Sequence, residues 1–143
     1  MRNISRFKKL ATVIGVSASL AALAPAPALA AAASGCSATT WGKLTTSGGY
    51  VSYNIRQCGS STKAWGSVVD TKSDVWTAVV EVDFYADGKA VDGGYKEAGR
   101  KKGSKTFSYS SGRVDIDKVR VRARRCLPST IVCNNTKTKT VNY

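Results

Sequence analysis

The four cysteines, at positions 36, 58, 126 and 133, fall into two pairs, and each pair brackets a turn-forming segment. Thr45-Thr46-Ser47-Gly48-Gly49 lies midway between Cys36 and Cys58, and Leu127–Val132, with Pro128 in it, separates Cys126 from Cys133. Four cysteines allow three connectivities. The turns favour Cys36–Cys58 and Cys126–Cys133, each stapling one hairpin. Centring the first turn on Ser47 sets Cys36 opposite Cys58, Trp41 opposite Tyr53 and Thr39 opposite Ile55. Chain entropy gives about 3.4 kcal/mol for closing the longer loop and about 2.5 kcal/mol for the shorter. Zinc is the competing use of two cysteine pairs, but no Cys-x-x-Cys occurs and the chain has no histidine.

Between and beyond the staples the chain alternates. Trp76, Ala78, Val80, Val82 and Phe84 make one apolar face at period two, with Glu81 and Asp83 on the other face. Asp87-Gly88 then supplies a type I′ turn, whose two central residues need positive φ. Carried outward, that turn pairs Phe84 with Val91 and Val80 with Tyr95. Further strands are expected over 62–69, around Trp65, Val68 and Val69, and over 106–110, through Phe107 and Tyr109. A long strand over 113–125, bulged near Asp117-Lys118, precedes a last one over 137–143. No segment beyond residue 30 sustains a 3.6 period. The pattern predicts an all-β fold: an antiparallel β-sandwich of seven or eight short strands, with a small closed β-barrel as the alternative.

The first thirty residues read as an export signal. Arg2, Arg6, Lys8 and Lys9 precede an apolar stretch that ends in Pro25, Pro27 and Ala28-Leu29-Ala30. Cleavage leaves residues 31–143 as one domain, too short for a second independent core. Ala33-Ser34-Gly35-Cys36 loosely matches a lipid-attachment site at Cys36. The apolar stretch lies too far upstream for that, and lipidation leaves an odd cysteine. The protein is therefore expected to be secreted. Losing the leader removes four cations, so the formal charge of +13 falls to +9.

The remaining basic residues cluster. In Val119-Arg120-Val121-Arg122-Ala123-Arg124 the arginines share one face of a strand. If Cys126 pairs with Cys133, the register sets Lys137 opposite Arg122 and Lys139 opposite Arg120, so that five cations share a face. Arg100, Lys101, Lys102 and Lys105 form a second cluster around Gly103. Both clusters suggest an anion- or partner-binding surface, against the plainer roles of a solubilising face or a charged strand edge. Nucleic acid is disfavoured because neither cluster contains an aromatic residue for stacking.

Catalysis has little to work with. Without histidine the familiar Ser/His and Cys/His arrangements are impossible. Glu81 with Asp83, or Asp115 with Asp117, share a face at a spacing suited to an acid/base pair, but salt bridging to the arginines is the simpler use. Neither a metal nor a cofactor is expected.

The Ala-Pro-Ala-Pro-Ala-Leu-Ala ending of the leader, with four cysteines in a short strand-rich chain, resembles the small two-disulfide β-proteins secreted by high-GC Gram-positive bacteria. That group includes enzyme inhibitors, chromoprotein-like carriers and the adaptor subunit of umbrella toxin particles. The resemblance implies an extracellular sandwich and transfers no functional residue. The sequence thus points to a non-enzymatic binding or adaptor module that engages an acidic protein partner or a polyanion, whether alone or as a subunit of a toxin-like assembly. An inhibitor of a secreted hydrolase, presenting Leu127–Val132, and a cationic antimicrobial protein are the alternatives.

Overall fold

A computed structural model describes residues 35–143, so the leader expected over 1–30 lies outside the described residues. The described chain is built from eight strands and no helix: β1 (Thr40–Thr46), β2 (Gly49–Cys58), β3 (Ser61–Asp70), β4 (Thr77–Ala86), β5 (Lys89–Glu97), β6 (Ser104–Ser111), β7 (Lys118–Cys126) and β8 (Cys133–Asn142). All pairings are antiparallel. Sheet A has the order β1-β2-β3-β6 and sheet B the order β5-β4-β7-β8, and no strand pairing joins the two. The fold is a β-sandwich and not a closed barrel.

Alternation produces this architecture directly, because successive side chains on a strand point to opposite faces. Sheet A turns Val51, Tyr53, Ile55, Ala64, Val68 and Phe107 inward. Sheet B answers with Ala78, Val80, Val82, Phe84, Val119, Val121 and Ala123. Burying each large apolar side chain contributes about 1.5–3 kcal/mol, so the two inner faces supply the main drive to fold. Trp76, expected on the apolar face, stops short of it: it precedes β4 and is only half-buried.

Both disulfides are present as expected, Cys36–Cys58 and Cys126–Cys133. They fit an oxidising environment. Cys36 commits its sulfur to Cys58, which leaves no thiol to carry a lipid. Among the described residues no helix is long and apolar enough to cross a membrane.

The expected registers fail by one residue in all three hairpins. Cys36 does face Cys58. Within β1 and β2, however, Thr40 pairs with Ile55, Trp41 with Asn54 and Gly42 with Tyr53. Trp41 therefore points outward and is 78% exposed. In β4–β5 the Asp87-Gly88 turn forms with both φ angles positive, 51° and 73°. A bulge then intervenes, so Phe84 faces Asp92, Val80 faces Lys96 and Tyr95 faces Glu81. In β7–β8 the register starts at Cys126–Cys133 and shifts between Ala123 and Arg125.

The long strand expected over 113–125 is also shorter than read. Residues 113–117 form a loop, and β7 begins at Lys118. Arg113 Nε and Nη2 donate to the two Asp115 oxygens at 2.9 and 2.6 Å, closing a tight turn. Ile116 drops into the core from that loop. Asp117 N–H donates to the Tyr85 carbonyl at 3.0 Å, which ties the loop to β4.

Candidate functional site

The arginine stripe is where alternation puts it, on the outer face of sheet B, but it does not stand alone. Arg122 pairs in register with Glu81, and Arg120 with Asp83, both on neighbouring β4. Asp83 accepts from Arg120 at 3.2 Å and from Arg122 at 3.1 Å. Glu81 is bonded to Arg122 and lies 3.1 Å from Arg124. Three arginines and two carboxylates thus form one ladder, with side chains only 18–33% exposed. The stripe is largely matched from within the fold. The same ladder holds Glu81 and Asp83 as ion-paired carboxylates.

Lys137 and Lys139 do not join this face. The one-residue shift places Lys137 opposite Ala123 and Lys139 opposite Val121, on the inward-pointing side of edge strand β8. The expectation of five cations on one face is therefore wrong, because β8 gains a residue at the bulge and its side chains exchange faces. Inward-pointing charge on an edge strand opposes pairing with another sheet.

Arg100, Lys101 and Lys102 are exposed in the β5–β6 loop, and Lys105 is exposed in β6. Lys101 and Lys102 both adopt positive φ, 58° and 63°, and the Gly103 carbonyl accepts from Asp70 N–H at 2.8 Å. None of these four residues, nor Lys137 or Lys139, forms an ion pair among the described residues.

A groove of about 600 Å³ opens on sheet B between β5 and the β7–β8 loop, with Glu81, Asp83 and Arg124 in its lining. Ile131 stands at its rim, 97% exposed. Tyr95 donates to Glu97 at 2.6 Å, and burial is the first cause raising its phenol pKa. At this end of the sandwich Arg125 is only 5% exposed, and its Nη2 donates to both Asp74 oxygens at 2.5 and 2.6 Å. A side chain at position 48 would collide with that guanidinium, so glycine leaves it room. The Arg125 hydrogen bond holds the Asp74 carboxyl below its ordinary range. A depressed folded pKa means the pair stabilises the fold above about pH 4 and loses that contribution as pH falls through the lowered value. Asp74→Asn is therefore expected to lower the urea midpoint at pH 7 and to flatten its fall under acid. Midpoints measured against pH check this.

The outer face of sheet A has the opposite character from sheet B. Its registers align outward side chains in rows across the strands. One row is Trp41–Asn54–Trp65–Ser108. On one side of it runs Lys43–Ser52–Ser67–Thr106, and on the other Arg56–Lys63–Ser110. Lys43 Nζ lies 3.8 Å from the Tyr50 ring centre, and Lys63 Nζ lies 5.8 Å from that of Trp65. Ser52 and Ser67 hydroxyls bond to each other at 2.8 Å. No carboxylate lies on this face: the one acidic residue of sheet A is Asp70, buried at the end of β3.

Trp41, Lys43, Arg56, Lys63 and Trp65 are functional candidates that reading for local clusters misses. Their signal is an absence. All nine acidic residues follow position 69, so the segment that forms β1 to β3 is acid-free up to its last residue. Aromatic and basic residues interleave here both along strands, as Trp41 with Lys43 in β1 and Lys63 with Trp65 in β3, and across them, where Asn54 of β2 aligns Trp41 with Trp65. No protein-family model, curated protein or solved structure matches the chain.

Proposed function

We propose that this protein is a non-enzymatic binding module of an extracellular, oxidising setting, and that it engages an acidic partner through the outer face of sheet A. One observation carries this reading: Lys43, Arg56 and Lys63 share a face with no carboxylate to neutralise them, whereas the arginine stripe of sheet B is matched by Glu81 and Asp83. Unmatched charge of one sign raises the local concentration of counter-ions and steers an oppositely charged partner. The two disulfides support the setting.

The test is retention on an immobilised acidic polymer. The native protein should bind at low salt and elute as salt screens the contact. Lys43→Glu combined with Arg56→Glu and Lys63→Glu should weaken binding about 30- to 100-fold, taking somewhat under 1 kcal/mol for each exposed pair. Reversing Arg100, Lys101 and Lys102 in the β5–β6 loop should shift elution less. Unchanged elution of the sheet A triple variant would sink the reading.

A further inference from the structure

Resting on that reading, we infer that the partner is an acidic polysaccharide, which lies across the strands of sheet A along the Trp41–Asn54–Trp65 row. The row supplies what a chain of sugar rings needs. Trp41 and Trp65 are two strands apart with Asn54 between them, a separation of roughly 9–10 Å. That distance lets two indoles meet alternate rings of an extended chain, each through the apolar face of a pyranose. Asn54 and Ser108 lie in the same row and offer an amide and a hydroxyl to the ring edges.

The charges flank the row instead of lying in it. Lys43 is one row away on one side, and Arg56 and Lys63 are one row away on the other. Same-face rows are about 7 Å apart, which suits carboxylates that project sideways from stacked rings. A plain polycarboxylate would use the cations and ignore the tryptophans. A single-stranded nucleic acid would use both, yet three cations around one row are few for a backbone with a charge at every nucleotide. The disulfides fit the extracellular, oxidising setting in which such a glycan would be met.

Trp41 is almost free of contacts that the fold needs, and Trp65 is half-buried, so their replacement tests binding with little risk to the core. The experiment compares polygalacturonate with poly-glutamate of similar charge density by titration calorimetry, using the whole protein. Polygalacturonate should bind more tightly. Trp41→Ala and Trp65→Ala should each weaken it about tenfold and leave poly-glutamate unchanged, and Trp65→Tyr should restore most of the loss. Equal binding of both polymers, with the tryptophan variants silent, overturns the glycan inference and leaves the acidic-partner reading standing. Failure of both polymers to bind defeats the two together. Oligo(dT) outcompeting polygalacturonate overturns the glycan assignment in favour of nucleic acid. Trp65→Ala is accepted only with an unchanged thermal midpoint; if it unfolds, Trp41→Ala decides.

Discussion

Glu81→Gln combined with Asp83→Asn is expected to lower the unfolding free energy by about 2–4 kcal/mol. Breaking a buried ion pair costs about 3–5 kcal/mol because one charge is left uncompensated, and the partial exposure of this ladder reduces that figure. The double change leaves Arg120, Arg122 and Arg124 side by side with no carboxylate. Arg122 Nε and Arg124 Nε are already buried without a partner, so the network has no slack to absorb the loss. Urea titrations should show a lower midpoint with an unchanged slope, and added salt should stabilise the variant by screening repulsion among the arginines. Sheet B should also gain affinity for acidic polymers. A midpoint within error of the native value, at low salt, would mean that the stripe is not held by Glu81 and Asp83.

Salt bridging of Glu81 and Asp83 to the arginines is legible in the sequence, and the structure adds the register, Arg122 opposite Glu81 and Arg120 opposite Asp83. Period-two alternation, the Asp87-Gly88 turn and the cysteine pairs are enough to read a sandwich of seven or eight strands and both disulfides. None of them reports an inserted residue. A bulge near Val91 moves Tyr95 from opposite Val80 to opposite Glu81, and the shift at Ala123–Arg125 moves Lys137 from beside Arg122 to beside Ala123. The period of a strand is two, so a slip of one residue exchanges the faces completely. Lys137 and Lys139 look like binding residues in one register and like edge protection in the other. The arginines kept their face because β7 pairs with β4 without any shift.

The sheet A face was hidden for a different reason. Its rows join residues from β1, β2, β3 and β6, and Trp41 reaches Trp65 only through Asn54 on the intervening strand. No window along the chain contains that arrangement. Clustering of like charge draws attention to Arg120–Arg124, yet clustering is also what invites matching carboxylates from a neighbouring strand. Isolated cations among serines and threonines have no such neighbours in sheet A. For the arginine stripe, charge density along the chain therefore points to sheet B, while unmatched charge on the fold points to sheet A and to the Arg100–Lys102 loop.

Removing the Cys36–Cys58 bridge with Cys36→Ser and Cys58→Ser should lower stability by about 3.4 kcal/mol, against about 2.5 kcal/mol for the Cys126–Cys133 bridge. The difference follows from loop length, with separations of 22 and 7 residues. Either loss is a large share of the roughly 5–15 kcal/mol that holds a domain together. The functional consequences should separate more sharply than the stabilities. Cys36 fixes the segment that enters β1, and β1 is the edge strand carrying Trp41 and Lys43. Its hydrogen-bonded neighbour is β2 alone, so freeing the disulfide allows the strand to fray and scatters one end of the tryptophan row. Cys126 and Cys133 instead constrain the Leu127–Val132 loop over sheet B, remote from that row. At a temperature where both variants remain folded, the Cys36/Cys58 variant should lose acidic-polymer binding while the Cys126/Cys133 variant keeps it. Amide hydrogen exchange should show faster opening of β1 in the first variant only. If the Cys126/Cys133 variant lost binding and the Cys36/Cys58 variant retained it, the binding surface would have to be moved from sheet A to sheet B.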